Sequence, residues 1–183
     1  LEITGSVRAS FDVVSALIDD LIATFGSAFL TIAIVMMLLA RDVKLGLVSM
    51  VPNVLPILVV MGALGLFGVP LDLNTVMVAS IAEGLAVDDT IHFLYHYQLG
   101  KRTLGSEGAV RATFEGSGRA MTFTSITLAV GFLLFGFASM SNVQRFGIVI
   151  AVTVVLALLT ELVLTPALLR LVYRDREGDA RAT

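Results

Sequence analysis

EGLAVDDTIHF, residues 83–93, places three carboxylates and an imidazole (Glu83, Asp88, Asp89 and His92) inside a stretch that is otherwise apolar. A charged side chain at the centre of a bilayer costs several kcal/mol, so such groups are rare in membrane spans and usually serve a function. The surroundings are those of a membrane protein. Of the 183 residues 57% are hydrophobic and 15% charged, with a mean hydropathy of +0.94. Soluble domains average about a quarter charged. The net charge of −3 offers no basic footprint for nucleic acid. Cysteine is absent, which excludes disulfides, thiolate metal sites and thiol nucleophiles within these residues.

A transmembrane helix needs about 20 mostly apolar residues, and five segments qualify: 21–40, 45–69, 73–97, 120–139 and 146–172. The expected fold is therefore all-α, a polytopic bundle of five transmembrane helices. The stretch 106–115 in the longer connection between the third and fourth spans suits a short interfacial helix with Ser106 as N-cap. Residues 1–20 lack the basic and apolar regions of a signal peptide and read as the exit from a preceding domain, and 175–183 as a tail. The chain is expected to be a piece of a longer polypeptide. Short connections make neighbouring spans antiparallel. Of the twelve Lys and Arg residues, Arg8 and Arg145 fall on one side and the other ten on the opposite side. The positive-inside rule then puts the N-terminal end outside and the C-terminus in the cytoplasm.

A helix turns by about 100° per residue. With Asp88 at zero, Tyr95, His92, His96 and Asp89 fall between about −20° and +100°, whereas Glu83 lands near −140°. The acidic cluster is thus two features, a titratable stripe and a separate glutamate. Two adjacent carboxylates in a low-dielectric site cannot both ionise cheaply, so at least one is expected to hold a proton near neutral pH. His92, one turn from Asp88, either orients an aspartate or passes a proton on. His96 lies near the membrane boundary beside Tyr95 and Tyr97, as interfacial residues do. The plainer reading, in which the aspartates only hold helices together, suffers from the cost of burying them.

Asp88, His92 and His96 are spaced as metal ligands on a helix can be, but no other His or Cys and no second acidic cluster completes a closed site. No metal or cofactor is expected, and a metal-dependent intramembrane hydrolase is correspondingly disfavoured. Among supporting residues, Thr122, Thr124, Ser125 and Thr127 in MTFTSITLAVGF can donate across a helix interface or to their own backbone. Glu161 is a further intramembrane acid in the last span. Pro52 and Pro56 remove two backbone donors from the second span, where Asn53 can satisfy a freed carbonyl. Gly84, Gly131, Gly136 and Gly147 permit close helix approach.

With these residues in view the sequence resembles the resistance–nodulation–division superfamily, and within it the MMPL-type exporters. Three stretches carry the resemblance: PNVLPILVVMGALGLFGVPLDLNTVMVASIA from Pro52, GLAVDDTIHFLYHY from Gly84, and GRAMTFTSITLAVGFLLF from Gly118 followed by NVQRFGIVIA. GLAVDD looks like the family's G-x-x-x-D-D motif. The resemblance implies a bacterial inner-membrane protein of two similar halves, each with one span, a large extracytoplasmic domain and five further spans. This chain looks like the five-span tail of one half. It also implies a non-enzymatic exporter of lipids or hydrophobic compounds, driven by protons moving through Asp88 and Asp89. The coupling ion is expected to be a proton, with sodium left open. The expected partners are the bilayer, the sister half, the extracytoplasmic domain and a hydrophobic substrate, with a homo-oligomer left open. Relatives usually carry an apolar residue where this chain has Glu83, so Glu83 inherits no role. Two other readings keep the fold: a sterol- or lipid-sensing domain, and a protein-translocation motor of the SecD/SecF kind, whose acidic helix usually lacks the second aspartate.

Overall fold

The computed structural model describes residues 2–69 and 73–180, and every element among them is helical. Five long helices follow in order: α1 (Glu2–Ala40), α2 (Val43–Leu66), α3 (Leu73–Thr113), α4 (Arg119–Leu133) and α5 (Ser141–Ala180). A single π-helical turn, Phe114–Gly118, joins α3 to α4, and a 3₁₀ turn, Leu134–Phe137, leads out of α4. Four stretches are long and apolar enough to cross a membrane: Ser15–Ala40 in α1, Val43–Leu66 in α2, Gly108–Phe137, which runs from the end of α3 through α4 and the 3₁₀ turn, and Ser141–Leu171 in α5. The acidic part of α3, before the Gly105 break, falls outside that group because of its charges, but α3 packs against α1, α2 and α5 within the same bundle. Large apolar side chains cover the exterior, Phe123, Leu134 and Phe137 among them, as a lipid-facing surface requires.

Local chemistry sets the helix ends. Arg41, in the left-handed region at φ 49°, closes α1, and the Asp42 carboxylate then accepts the Lys44 backbone N–H at 3.0 Å as the N-cap of α2. Gly68, at φ 68°, stops α2 a turn short of the expected Val69, with the Val69 N–H returning to the Leu64 carbonyl at 2.9 Å. The first and last helices both run past the apolar limits expected of them. Helix α1 is continuous through 2–20 into the first span, and α5 continues to Ala180. Hydropathy marks where lipid ends, whereas a helix ends only where its backbone is capped or broken.

The connection expected as a loop with a short helix is helical throughout. Gly105, at φ 72° and ψ −179°, breaks α3, and the helix resumes at once over 106–113. The chain folds back so sharply that a Cβ on Gly100 would sit 3.3 Å from the Ala109 Cα. Ala109 and Val110 are thereby buried against Tyr97 and Leu94 in the main core, which also takes in Met36, Leu45, Phe93 and Met121. The Ser106 side chain, assigned as an N-cap, lies outside the described side chains. The Gln98 amide donates to the Leu39 carbonyl at 2.8 Å, tying α3 to the end of α1.

Gly147 lets α5 press against the turn after α4: a Cβ there would overlap the Phe135 side chain and come within 2.5 Å of the Phe132 carbonyl oxygen. The other three glycines read as packing residues do not behave this way. Gly84 and Gly131 have open space around the Cβ position, and Gly136 has ordinary contacts only.

Candidate functional site

Helix α3 presents two polar faces. One face, including Ala79, Ala82, Glu83, Ala86, Thr90, Phe93 and Tyr97, is buried against the other helices. Spacings of three and four residues define it. The opposite face carries Asp88 and His92, whose side chains are 74% and 63% exposed. Asp89 lies between the two.

Asp89 is held from α4 by the Ser125 hydroxyl, which donates to Oδ2 at 3.1 Å. Asp88 Oδ1 and His92 Nε2 are 3.8 Å apart, beyond hydrogen-bond range but close enough for an ion pair when the imidazole is protonated. Both aspartates border a cleft of about 50 Å³ between α3, α4 and α5, lined also by Ala86, Thr124, Ser125 and Val154. Space of this size with several polar groups on its wall suits one or a few water molecules. The site therefore offers one constrained carboxylate, one exposed carboxylate, a hydroxyl donor and an imidazole one turn away.

The other hydroxyls of helix α4 stay on their own backbone. Thr124 donates to the carbonyls of Ala120 and Met121 at 3.1 and 3.0 Å, and Thr122 and Thr127 donate to Gly118 and Phe123. Thr124 still lines the cleft, but it is Ser125 that reaches a carboxylate. His96 is exposed and stacks edge-on against Tyr95. Among the described residues no three His, Asp or Glu side chains gather as metal ligands would.

Sequence profiles and curated relatives agree with this architecture. The profile of the MMPL family matches residues 1–181. The chain belongs to the MMPL family. Curated relatives of this MMPL chain include the toluene efflux pump membrane transporter TtgE and the solvent-resistant pump membrane transporter SrpB, both of Pseudomonas putida. They are 26% and 27% identical to it over 92% of its length. A membrane protein of Methanocaldococcus jannaschii is 29% identical over 75% of the chain. The MMPL chain spans 36% of that archaeal relative and 16% of each Pseudomonas pump.

Further buried polar residues lie behind the aspartates, and three of them, Asn53, Thr90 and Glu161, form one group. Glu83 and Glu161 are each 3% exposed, and Thr90 and Asn53 are 1% exposed. Thr90 Oγ1 is 2.7 Å from Asn53 Oδ1 on α2 and 3.0 Å from Glu161 Oε2 on α5. Asn53 also donates through Nδ2 to the Ser49 carbonyl at 3.3 Å. That carbonyl is not one of those freed by the prolines, which are at Val48 and Pro52, four residues before each ring. Sequence reasoning passed over Thr90 because its hydroxyl is unremarkable beside two aspartates. Its helical angle held the signal: seven residues after Glu83, it lies within about 20° of it, on the side away from Asp88.

Proposed function

We propose that this MMPL chain is the membrane-embedded, proton-driven part of an exporter of hydrophobic or lipid-like compounds. The observation that carries the reading is the Asp88–Asp89 pair at a water-sized cleft, with Ser125 donating to one of its carboxylates. Protonation removes charge from a low-dielectric site, changes which helix packing is favoured, and so shifts the rest of the transporter between states. The names of the two Pseudomonas relatives, pumps for toluene and for solvent resistance, support a hydrophobic substrate class.

In this reading α3 is a fifth span, the cytoplasm lies on the side of Arg41, Lys44 and the Gly105 break, and the membrane is the bacterial inner membrane. The exposed face of Asp88 and His92 meets a sister helical half, because a carboxylate left facing lipid would be too costly. No catalytic chemistry and no cofactor are assigned; the coupling ion is the proton.

Proton flux in proteoliposomes of the full-length protein tests the assignment. Asp88→Asn and Asp89→Asn are each expected to abolish substrate-coupled flux while the protein still inserts and purifies. Unchanged flux and export in both variants would falsify the relay. A wild-type protein that binds lipid but moves no protons would favour the sensing alternative.

A further inference from the structure

Thr90 follows Asp89 in the chain but points the other way, into the contact between α2, α3 and α5. Its Oγ1 lies within hydrogen-bond distance of three oxygens: Asn53 Oδ1 at 2.7 Å, Glu161 Oε2 at 3.0 Å and the Ala86 carbonyl at 3.1 Å. With Glu161 ionised all three are acceptors, and a threonine hydroxyl has one proton to give. Turning the Asn53 amide does not help. Nδ2 already donates to the Ser49 carbonyl, and the flip would set two oxygens against each other there.

A proton on Glu161 eases the conflict by turning one of the three acceptors into a donor, which leaves the Thr90 proton to Asn53 Oδ1 and, at the longer distance, the Ala86 carbonyl of its own helix. The Glu161 hydroxyl donates to Thr90 Oγ1, Thr90 donates to Asn53 Oδ1, and Asn53 donates to Ser49, so that each link has one donor and one acceptor. Glu161 Oε1 points the same way: it is fully buried and makes no hydrogen bond of good geometry, with the Thr165 hydroxyl its one polar neighbour on α5, a setting that a neutral carboxyl tolerates far better than a carboxylate.

We propose that Glu161 is a second proton-binding site, protonated in this conformation, and that Thr90 uses its proton to choose between two helix partners. When Glu161 gives up its proton, the single Thr90 hydroxyl turns to the carboxylate, because charge-assisted hydrogen bonds are the stronger ones. Asn53 Oδ1 then loses its donor, so the tie from α3 to α2 is lost while the bond between α3 and α5 reverses direction and is kept. Asp89 is the charged group on α3 that acts on Glu161; α2 presents the neutral Ser49 and Asn53, and Thr165 lies one turn further along α5. Thr90 is the chain neighbour of Asp89, which joins the buried site to the aspartate pair through a single peptide unit. The role in transport rests on the proton-driven reading above, whereas the protonation of Glu161 does not.

Infrared difference spectroscopy of the full-length protein in lipid separates the two. At neutral pH a protonated-carboxyl carbonyl band is expected that Glu161→Gln removes, Thr90→Val moves to higher wavenumber by deleting its hydrogen-bond acceptor, and Asp88→Asn leaves in place. Proton flux is expected to be lost in Glu161→Gln. If Glu161→Gln removes a carboxylate band instead, the proposal is overturned. It is equally overturned if the carbonyl band disappears but flux stays at the wild-type level, which would make Glu161 a structural acid. Should Glu161→Gln fail to fold, the Thr90→Val band shift alone decides whether the proton is there. Wild-type flux in the aspartate variants, with the Glu161 band intact, would sink the relay and leave the protonated glutamate standing.

Discussion

Ser125 donates to Asp89 across the α3–α4 contact, and Ser125→Ala isolates that bond without changing either carboxylate. A hydrogen bond to a charged group is worth about 1.5–3 kcal/mol, roughly ten- to a hundredfold in an equilibrium that depends on it. Flux measured in proteoliposomes is therefore expected to fall in Ser125→Ala and to persist in Ser125→Thr, which keeps a hydroxyl. An alanine with wild-type flux would reduce Ser125 to a packing residue. At this scale the sequence was informative where one helix sufficed. The separation of Glu83 from the Asp88 stripe needs only the angle per residue. Which hydroxyl of MTFTSITLAVGF reaches Asp89 was not legible, because four of them lie in one stretch and the rotation of α4 about its axis selects among them. The helical angle of Thr90 was legible, but its partners were not, since they sit 37 and 71 residues away in the chain.

Two glycines argue at the level of elements. Gly147 has no room for a Cβ against Phe132 and Phe135, so Gly147→Ala should force α5 away from the turn after α4 at a cost of about 1–3 kcal/mol. Gly131→Ala, where the space is open, should stay within about 0.5 kcal/mol. Thermal unfolding of the full-length protein in detergent compares the pair, and equal shifts would refute the close approach. Gly105 sits at φ 72° and ψ −179°, a region open essentially to glycine alone, and Gly105→Ala should destabilise by about 1–3 kcal/mol in the same assay. The sequence showed a Gly-containing polar stretch and suggested a connection carrying a short helix over 106–115. The structure turns it into a helix break, because folding 106–113 back on Gly100 buries Ala109 and Val110, and that gain appears only when both legs exist.

For the molecule as a whole, the distribution of Lys and Arg predicts which way the bundle sits in the membrane. Single cysteines in an otherwise cysteine-free background should report it. Ser139→Cys, between α4 and α5, is expected to react with a membrane-impermeant maleimide in intact cells, and Thr103→Cys, beside the Gly105 break, only after permeabilisation. The reverse pattern would invert the bundle. The sequence by itself determined the class of protein, the approximate helices and the identity of the acidic pair. Those depend on apolar run length, charge and residue order, which are properties of the chain taken locally. Only the tertiary structure decided that Asp88 and His92 stand on an open face, that Ser125 serves Asp89, and that Asn53, Thr90 and Glu161 share one buried site. Each of those facts requires three helices to meet at a particular depth and rotation, and packing sets depth and rotation through contacts between residues far apart in the chain.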